Sequence, residues 1–172
     1  MACALNGFFV CRFEREAVRL TRLIVMITIT FMSQINVQFS VATHIMAALG
    51  AHAGEPVRSA ELAGSVHADP TFVRRVLSKL AKAGLVTTLR GKGGACALAR
   101  APAQITLLEI YRASAAPAAC AMHGYPVQQD CQVSRHIKGC LGAILHDAQA
   151  SFEQTLSRQT LADLVAAIEH RR

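Results

Sequence analysis

The chain of 172 residues is long enough for one domain with a substantial core, or for a small domain with an appended element. Its hydrophobic fraction of 52% excludes a disordered chain, and with no Trp and two Tyr the core must be aliphatic, which favours helices. The net charge of +7 is uneven: four Arg and two Glu give +2 over residues 1–31, eight Lys/Arg and three acids give +5 over residues 32–100, and six of each cancel over residues 101–172.

Residues 1–31 mix scattered Arg with an apolar run, Leu23–Met32, that is about half the length needed to span a bilayer. The run is not followed by the small-residue cleavage site of a secretory signal. Two interpretations are open. Met32 is the natural chain start and the upstream residues are a poorly ordered leader added by a wrong start assignment, or the segment is a genuine extension with a helix over Glu14–Arg22. We favour the first.

Two helices are predicted between residues 37 and 66. The first covers residues 37–53, whose apolar side chains share one face at helical spacing: Phe39, Ala42, Ile45, Met46 and Leu49. Ser59 is predicted to be the N-cap of the second, a short helix that ends at a turn over His67-Ala68.

A third helix is predicted to begin at Asp69-Pro70 and to run to about Ala83, because Asp can accept bonds from free amides and Pro loses none at the first position. Its core positions follow the helical period: Val73, Val76, Leu77 and Leu80. Its outward positions are Thr71, Phe72, Arg74, Arg75, Ser78 and Lys79. Such a helix start suits insertion into the major groove of DNA. The alternative is an amphipathic helix with an ordinary basic face.

A β-hairpin is predicted to follow, with strands over Leu85–Leu89 and Ala95–Ala99. The tip holds three Gly between them, which allow a tight wing, and places Arg90 and Lys92 where a wing meets phosphates. A phosphate-binding P-loop is excluded, because its spacing is absent and a strand follows instead of a helix. Two helices, a turn and a basic hairpin are the pattern of a winged helix-turn-helix.

This segment resembles the IscR/NsrR/CymR family of bacterial winged-helix regulators, over roughly residues 32–166. The matching positions are Ser59, Leu62-Ala63, Pro70, Val73 to Leu77, Lys79-Leu80, Ala83 to Val86, Arg90-Gly91, Gly93-Gly94, Leu98 to Arg100, Pro102 and Ile105 to Leu107. Ala95 departs from the family, which has Tyr after the glycine pair. The resemblance implies a mainly α fold with a small β-hairpin wing and a long dimerisation helix. It further implies a homodimer that binds double-stranded DNA, acting as a repressor. Thr71, Phe72, Arg74 and Arg75 would then face base edges or phosphates, with Ser59, Lys79 and Lys92 positioning the DNA backbone.

After the wing, Ile105 to Leu107 begins another helix, with Thr106 as a candidate cap. The predicted organisation is a winged domain over residues 32–112, a cysteine-containing loop over 113–136, and a dimerisation helix with a C-terminal helix over 137–172. The long helix carries an apolar stripe: Ile137, Leu141, Ile144, Leu145, Ala148, Phe152 and Leu156. Packing against its own domain is the alternative for part of it. Thr160 and Asp163 open the last helix.

The chain has six Cys, which are expected to be reduced thiols in a cytoplasmic protein. The resemblance implies that Cys120, Cys131 and Cys140 hold an iron–sulfur cluster, as three Cys of this region do in the family's cluster-binding members. Their spacings are longer than expected for that role. A disulfide switch between Cys120 and Cys131, or plain free thiols, are the alternatives.

The favoured function is therefore a homodimeric, sequence-specific DNA-binding transcription regulator, with an iron–sulfur or redox response as one option for its control. The alternative is a regulator or interaction module controlled by a partner protein, without a cofactor. Neither a membrane segment nor an enzyme is expected, since the sequence has no paired carboxylates, nucleophile elbow, Walker motif or zinc-protease motif.

Overall fold

A computed structural model describes residues 37–52, 54–89 and 94–171. The predicted leader over residues 1–31 and the wing residues Arg90 and Lys92 lie outside these ranges. The described elements follow in this order: α1 Val37–Ala51, β1 Val57–Arg58, α2 Ser59–Val66, α3 Pro70–Lys82, β2 Val86–Thr88, β3 Ala95–Leu98, a 3-10 turn Pro102–Gln104, α4 Leu107–Ser114, α5 Gln132–Ser157 and α6 Leu161–Glu169. No helix in the described ranges has the length and apolar character to cross a membrane.

One aliphatic core joins α1 to the helices and the sheet around it. Its fully buried members from the helices include Ile45, Met46, Val73, Leu80 and Ile110. Each such side chain contributes about 1.5–3 kcal/mol relative to an exposed one. The four core positions predicted for the third helix are all buried, so the helical period was a sufficient guide there.

The helix-turn-helix geometry is fixed by local backbone chemistry. His67 ends α2 in the left-handed region, at φ 56°, so that its own amide and that of Ala68 bond back to the last turn of the helix. Asp69 then starts α3: its Oδ1 accepts from the amides of Thr71 at 2.9 Å and Phe72 at 3.0 Å, and Pro70 occupies the first helical position. The predicted start of α3 is confirmed.

The prediction that Ser59 caps α2 is wrong. Arg58 is the N-cap residue, without a side-chain cap bond, and Ser59 is the first residue of the helix. The Ser59 amide instead donates to the Gly94 carbonyl at 3.3 Å, so that it extends the strand pairing of β1 into the helix start. A cap residue chosen from sequence can be misplaced by one position where a strand runs directly into a helix.

The predicted hairpin is present, but it belongs to a sheet of three strands in the order β1-β3-β2. β3 pairs antiparallel with β2, with Thr88 opposite Cys96, and with β1, where Val57 is opposite Cys96. The prediction missed β1 because two residues are too short to show a period. Cys96 faces the core at 2% exposure, and this burial raises the pKa of its thiol.

The last helix packs back on the winged domain, and each of the two segments that meet there begins with a capping box. Thr106 with Glu109 caps α4, and Thr160 with Asp163 caps α6. The two segments cross as an isolated bridge, where the Leu161 amide donates to the Ile105 carbonyl at 2.8 Å. Because Leu161 is fully buried, α6 belongs to the same core as α1.

The long helix α5 has 26 residues and begins at Gln132, five residues before the predicted start at Ile137. Cys131 caps it, with the Ser134 amide donating to Sγ at 3.5 Å. Of its apolar stripe only Leu156 is buried, whereas Ile144 is 64% exposed. Phe152 packs edge-on against Tyr111 of α4, with the ring centres 5.3 Å apart. Three other members are half-buried, and two are exposed: Ile137, Leu141 and Leu145, then Ile144 and Ala148.

Candidate nucleic-acid interface

The first turns of α3 present a basic surface. Thr71, Arg74 and Arg75 are exposed, and no acidic residue lies in the first turn of the helix. Phe72 is half-buried against the core, and the Arg75 guanidinium carbon lies 5.9 Å from the centre of its ring. This cation–π contact holds Arg75 alongside the helix and limits its rotamers. Phe72, which was predicted to face outward, thus packs partly on the core. The four residues predicted to face base edges lie in the first turns of one helix.

Lys79 does not face outward, contrary to the prediction. Its part-buried Nζ donates to Gln38 Oε1 at 2.7 Å and to the Ser114 carbonyl at 3.0 Å. The ammonium thus ties α3 to the start of α1 and the end of α4. Sequence spacing could not show this, since the partners are 41 and 35 residues away. A Lys whose donors are directed at protein oxygens is not available to a phosphate in this conformation.

The base of the wing is held close to the start of α2. The Leu89 amide donates to the Ala95 carbonyl at 2.9 Å, and this closes the hairpin just below its tip. Gly94 has φ +58°, and a Cβ added there would lie 3.5 Å from the Ser59 hydroxyl. The half-buried Ser59 therefore lies at the wing base. Arg90 and Lys92, the predicted wing cations, lie outside the described residues.

Arg58 is a cation that the sequence analysis overlooked. It is exposed, it ends the edge strand β1, and its backbone pairs opposite Ala95 of the wing strand. This places a guanidinium beside the wing base and next to Ser59. No sequence signal marked it, because a single Arg before a short helix is ordinary.

A chain of hydrogen bonds leads from Lys79 to the loop that follows α4. Ser114, fully buried, donates its hydroxyl to the Tyr111 carbonyl at 2.7 Å and accepts the Ala116 amide at 3.2 Å. The Tyr111 hydroxyl donates to the Pro117 carbonyl at 2.9 Å. The loop is thereby fastened to the same end of α4 that Lys79 contacts.

Gln149 of α5 continues this network. Its Oε1 accepts the amides of Ala119 at 2.9 Å and Cys120 at 3.3 Å, and its Nε2 donates to the Tyr111 hydroxyl at 3.3 Å and to Glu153 Oε1 at 2.9 Å. The Gln149 bond, and then the ion pair to Arg112 at 2.8 Å, lower the pKa of Glu153. The long helix, α4 and the Cys120 loop therefore form one connected polar network.

The structure does not bring the three candidate cysteines together. Cys131 and Cys140 are nine residues apart on one helix, which separates them by roughly 13 Å along its axis. Cys120 lies in the loop held by Gln149. Over the described ranges no three His, Cys, Asp or Glu side chains converge as metal ligands would. An iron–sulfur cluster needs its thiolates to converge, so this arrangement does not fit one.

Comparisons with known proteins agree with this geometry. Residues 35–167 match the profile of the Rrf2 family, described as "Iron-dependent Transcriptional regulator". A protein of Bacillus subtilis (strain 168) named as HTH-type transcriptional regulator YwnA is 34% identical over 132 residues, covering 76% of this chain and 96% of that protein.

Solved structures show the same fold. The crystal structure of a protein from Lactobacillus plantarum, described as a transcriptional regulator, has a TM-score of 0.67 and 30% identity, covering 78% of this chain and 91% of that one. CymR, the global cysteine regulator of B. subtilis, has a TM-score of 0.56 at 22% identity over 76% of this chain and 94% of that one, and supports the fold alone. The resemblance predicted from the sequence is confirmed.

Proposed function

Since this chain belongs to the Rrf2 family of transcriptional regulators, we propose that it is a homodimeric, sequence-specific DNA-binding repressor that acts in the cytoplasm. The family and its relatives are regulators rather than enzymes. One observation carries the proposal: the exposed, acid-free first turns of α3, held rigidly on the core by their apolar side. Arg74 and Arg75 on this surface attract the phosphates that flank a major groove.

Each side chain of the interface has a distinct role in this proposal. Arg74 and Arg75 hydrogen-bond to base edges or their phosphates, and Thr71 and Phe72 contact the bases beside them. The residues at the wing base and tip bind phosphates without reading sequence: Arg58, Ser59, Arg90 and Lys92. Lys79, which the structure directs inward, is left out of this set.

Two variants separate these roles. Arg75→Ala is expected to lower affinity for the operator by tenfold to a hundredfold, with little change on scrambled DNA, because one bidentate base contact contributes about 1–3 kcal/mol of discrimination. Lys92→Ala is expected to weaken binding to both DNAs equally and to reduce the salt slope by about one. Fluorescence anisotropy with DNA from upstream of the chain's own gene provides both numbers. Equal losses from Arg75→Ala on both DNAs would contradict a base-reading role.

Exposed apolar side chains on α5 support the homodimer. Ile144 is 64% exposed and Val133 is 69% exposed, which is costly for side chains that a second copy could cover. A dimer that reads two half-sites in successive major grooves needs its two α3 helices about 34 Å apart, and pairing along α5 is the arrangement we propose for it.

Sedimentation of wild type and two charge-matched variants tests the dimer. Ile144→Glu is expected to give monomers, because it places a carboxylate in the shared apolar face. Gln154→Glu adds the same charge at an exposed position of the same helix that lies outside the stripe. Dimeric Ile144→Glu protein would exclude this face as the interface.

Control of DNA binding is a separate proposal. The family description includes iron dependence, but Cys120, Cys131 and Cys140 are not gathered into a site. We propose instead a thiol switch, in which Cys120 and Cys131 form a disulfide and give up two electrons and two protons to a cellular disulfide or peroxide. Anaerobic purification with iron analysis tests this directly. Iron that disappears when Cys120 and Cys131 are replaced by Ser would contradict it, whereas iron-free protein whose DNA affinity changes on oxidation would support it.

A further inference from the structure

A groove of about 740 Å³ lies on the winged domain between α1, the end of α2 and α6, away from the α3 surface. Its floor is made by three small side chains of α1, Ala47, Ala48 and Ala51, and its opposite wall by Leu164 and Ile168 of α6. The volume lies within the range typical of small-molecule sites, and apolar walls with a few polar groups are their usual lining. We call this feature the alanine groove.

The groove lies beside a point of close contact between α1 and α6. At Gly50 they approach so closely that an added Cβ would lie 2.9 Å from Val165 Cγ2. The α1 positions that line the groove, Ala47, Ala48 and Ala51, carry only methyl side chains. They leave space between α1 and α6 that larger side chains would fill. Ile168, on the wall, remains 48% exposed.

Three polar side chains belong to the lining of the alanine groove. Thr43 Oγ1 is buried and has no hydrogen-bond partner in the described part of the chain, although it lies in the groove lining. The His52 Nδ1 lies 2.7 Å from the Ala48 carbonyl; since that oxygen can only accept, Nδ1 carries the hydrogen, and Nε2 of the neutral ring is left as an acceptor. His44 Nε2 bonds to the Ser65 hydroxyl at 3.1 Å.

The charge of the lining limits the ligand further. Although the chain has a net charge of +7, the groove residues within the described ranges include no Lys or Arg, and Glu169 is the charged member. An anionic molecule would therefore meet a carboxylate with no opposing cation. A neutral molecule with an apolar body avoids this repulsion, and a donor group on it can bond to the acceptor nitrogen of His52.

We propose that the alanine groove is a binding site for a small, neutral, mostly apolar molecule that carries one hydroxyl or N–H group. The donor group bonds to the acceptor nitrogen of His52 or to the Thr43 hydroxyl, and the apolar body packs on Ala48 and Leu164. Because Ser65 precedes the turn into α3, occupancy is expected to change DNA affinity. This last consequence rests on the proposed function, whereas binding itself does not.

Phenol is the probe, with anisole and benzoate as controls, in titrations of the full chain followed by backbone amide NMR without DNA. Phenol is expected to give saturable shifts confined to α1, α6 and the end of α2. Anisole, which lacks the donor, is expected to bind about tenfold more weakly, as the loss of one hydrogen bond predicts. Benzoate is expected to bind weakly or not at all.

Variants locate the site. Ala51→Leu fills the groove from an exposed position and is expected to abolish the shifts, while Ala167→Leu, an exposed position of α6 outside the lining, is expected to leave them intact. Thr43→Val is expected to weaken phenol binding and yet leave the melting temperature equal or higher, because it replaces an unpartnered hydroxyl by a methyl group. Phenol shifts that persist in Ala51→Leu, or that spread over α5, would overturn the proposal, as would anisole or benzoate binding as tightly as phenol.

Discussion

Replacing Lys79 by Met separates a structural role from a DNA-binding role. The substitution keeps an unbranched apolar stem of similar length but removes the ammonium that donates to Gln38 Oε1 at 2.7 Å and to the Ser114 carbonyl at 3.0 Å. Hydrogen bonds to a charged group contribute about 1.5–3 kcal/mol each. Water reaches this half-buried site, so the two bonds together are expected to contribute at the low end, about 2–3 kcal/mol.

The expected result is a loss of stability without a loss of phosphate binding. For a chain of this size 1 kcal/mol corresponds to roughly 3 °C, so the melting temperature of Lys79→Met should fall by roughly 6–9 °C. Its salt slope for DNA binding should equal that of wild type. Lys82→Met, an exposed Lys in the same last turn, is the control and should change stability by no more than about 0.5 kcal/mol.

Urea unfolding and fluorescence anisotropy at several salt concentrations measure the two quantities on the same protein preparations. A Lys that contacts a phosphate contributes about one to the salt slope and little to the stability of the free protein. If Lys79→Met melted like wild type and its salt slope fell by about one, the inward assignment of Lys79 would be refuted.

Three further perturbations test the packing and capping. Gly50→Ala should lower the free energy of unfolding by about 1 kcal/mol, because the added methyl would lie 2.9 Å from a side chain of α6. Gly64→Ala, which has open space around it, should raise the free energy of unfolding by about 0.5–1 kcal/mol. Changes of equal sign in urea unfolding would argue against the close approach of α1 and α6 at Gly50. Glu109→Gln should cost about 0.5–1 kcal/mol at neutral pH. The hydrogen bond from the Thr106 amide, and then the Arg100 guanidinium, lower the pKa of the Glu109 carboxyl. The stability that the carboxylate contributes is therefore present above its ordinary pKa and is lost as the pH falls through the lowered pKa. A destabilisation by Glu109→Gln that is the same at every pH would contradict this reasoning. Gln149→Leu should destabilise by about 1–2 kcal/mol and speed the alkylation of Cys120, measured by mass spectrometry; an unchanged rate would mean that Gln149 does not hold that loop.

Local chemistry made α3 predictable. Its start at Asp69-Pro70 depends on bonds within three residues, and its core positions follow a period that one segment displays by itself. The Thr106 and Thr160 caps were found for the same reason. Where two interacting residues lie within one turn of helix, both can be recognised in one short stretch of sequence, and the contact can be predicted.

The features that the sequence did not reveal depend on distant partners. The inward direction of Lys79 requires the ends of two other helices, and β1 exists only because β3 offers it a pairing edge. The number of cysteines is right for a cluster, but their positions depend on where α5 begins. Because Cys131 caps α5, the helix begins five residues before the predicted start. The alanine groove likewise has no sequence signature, because small residues on a helix indicate close packing as readily as a cavity.

Sequence-specific DNA binding is the central claim, and the ratio of two affinities tests it most directly. Wild-type protein is titrated against DNA from upstream of its own gene and against a scrambled duplex of equal length and composition, at several salt concentrations. We expect the operator to bind at least about a thousandfold more tightly than the scrambled duplex, with the preference retained as salt rises. Equal affinity for the two duplexes at every salt concentration would contradict the account.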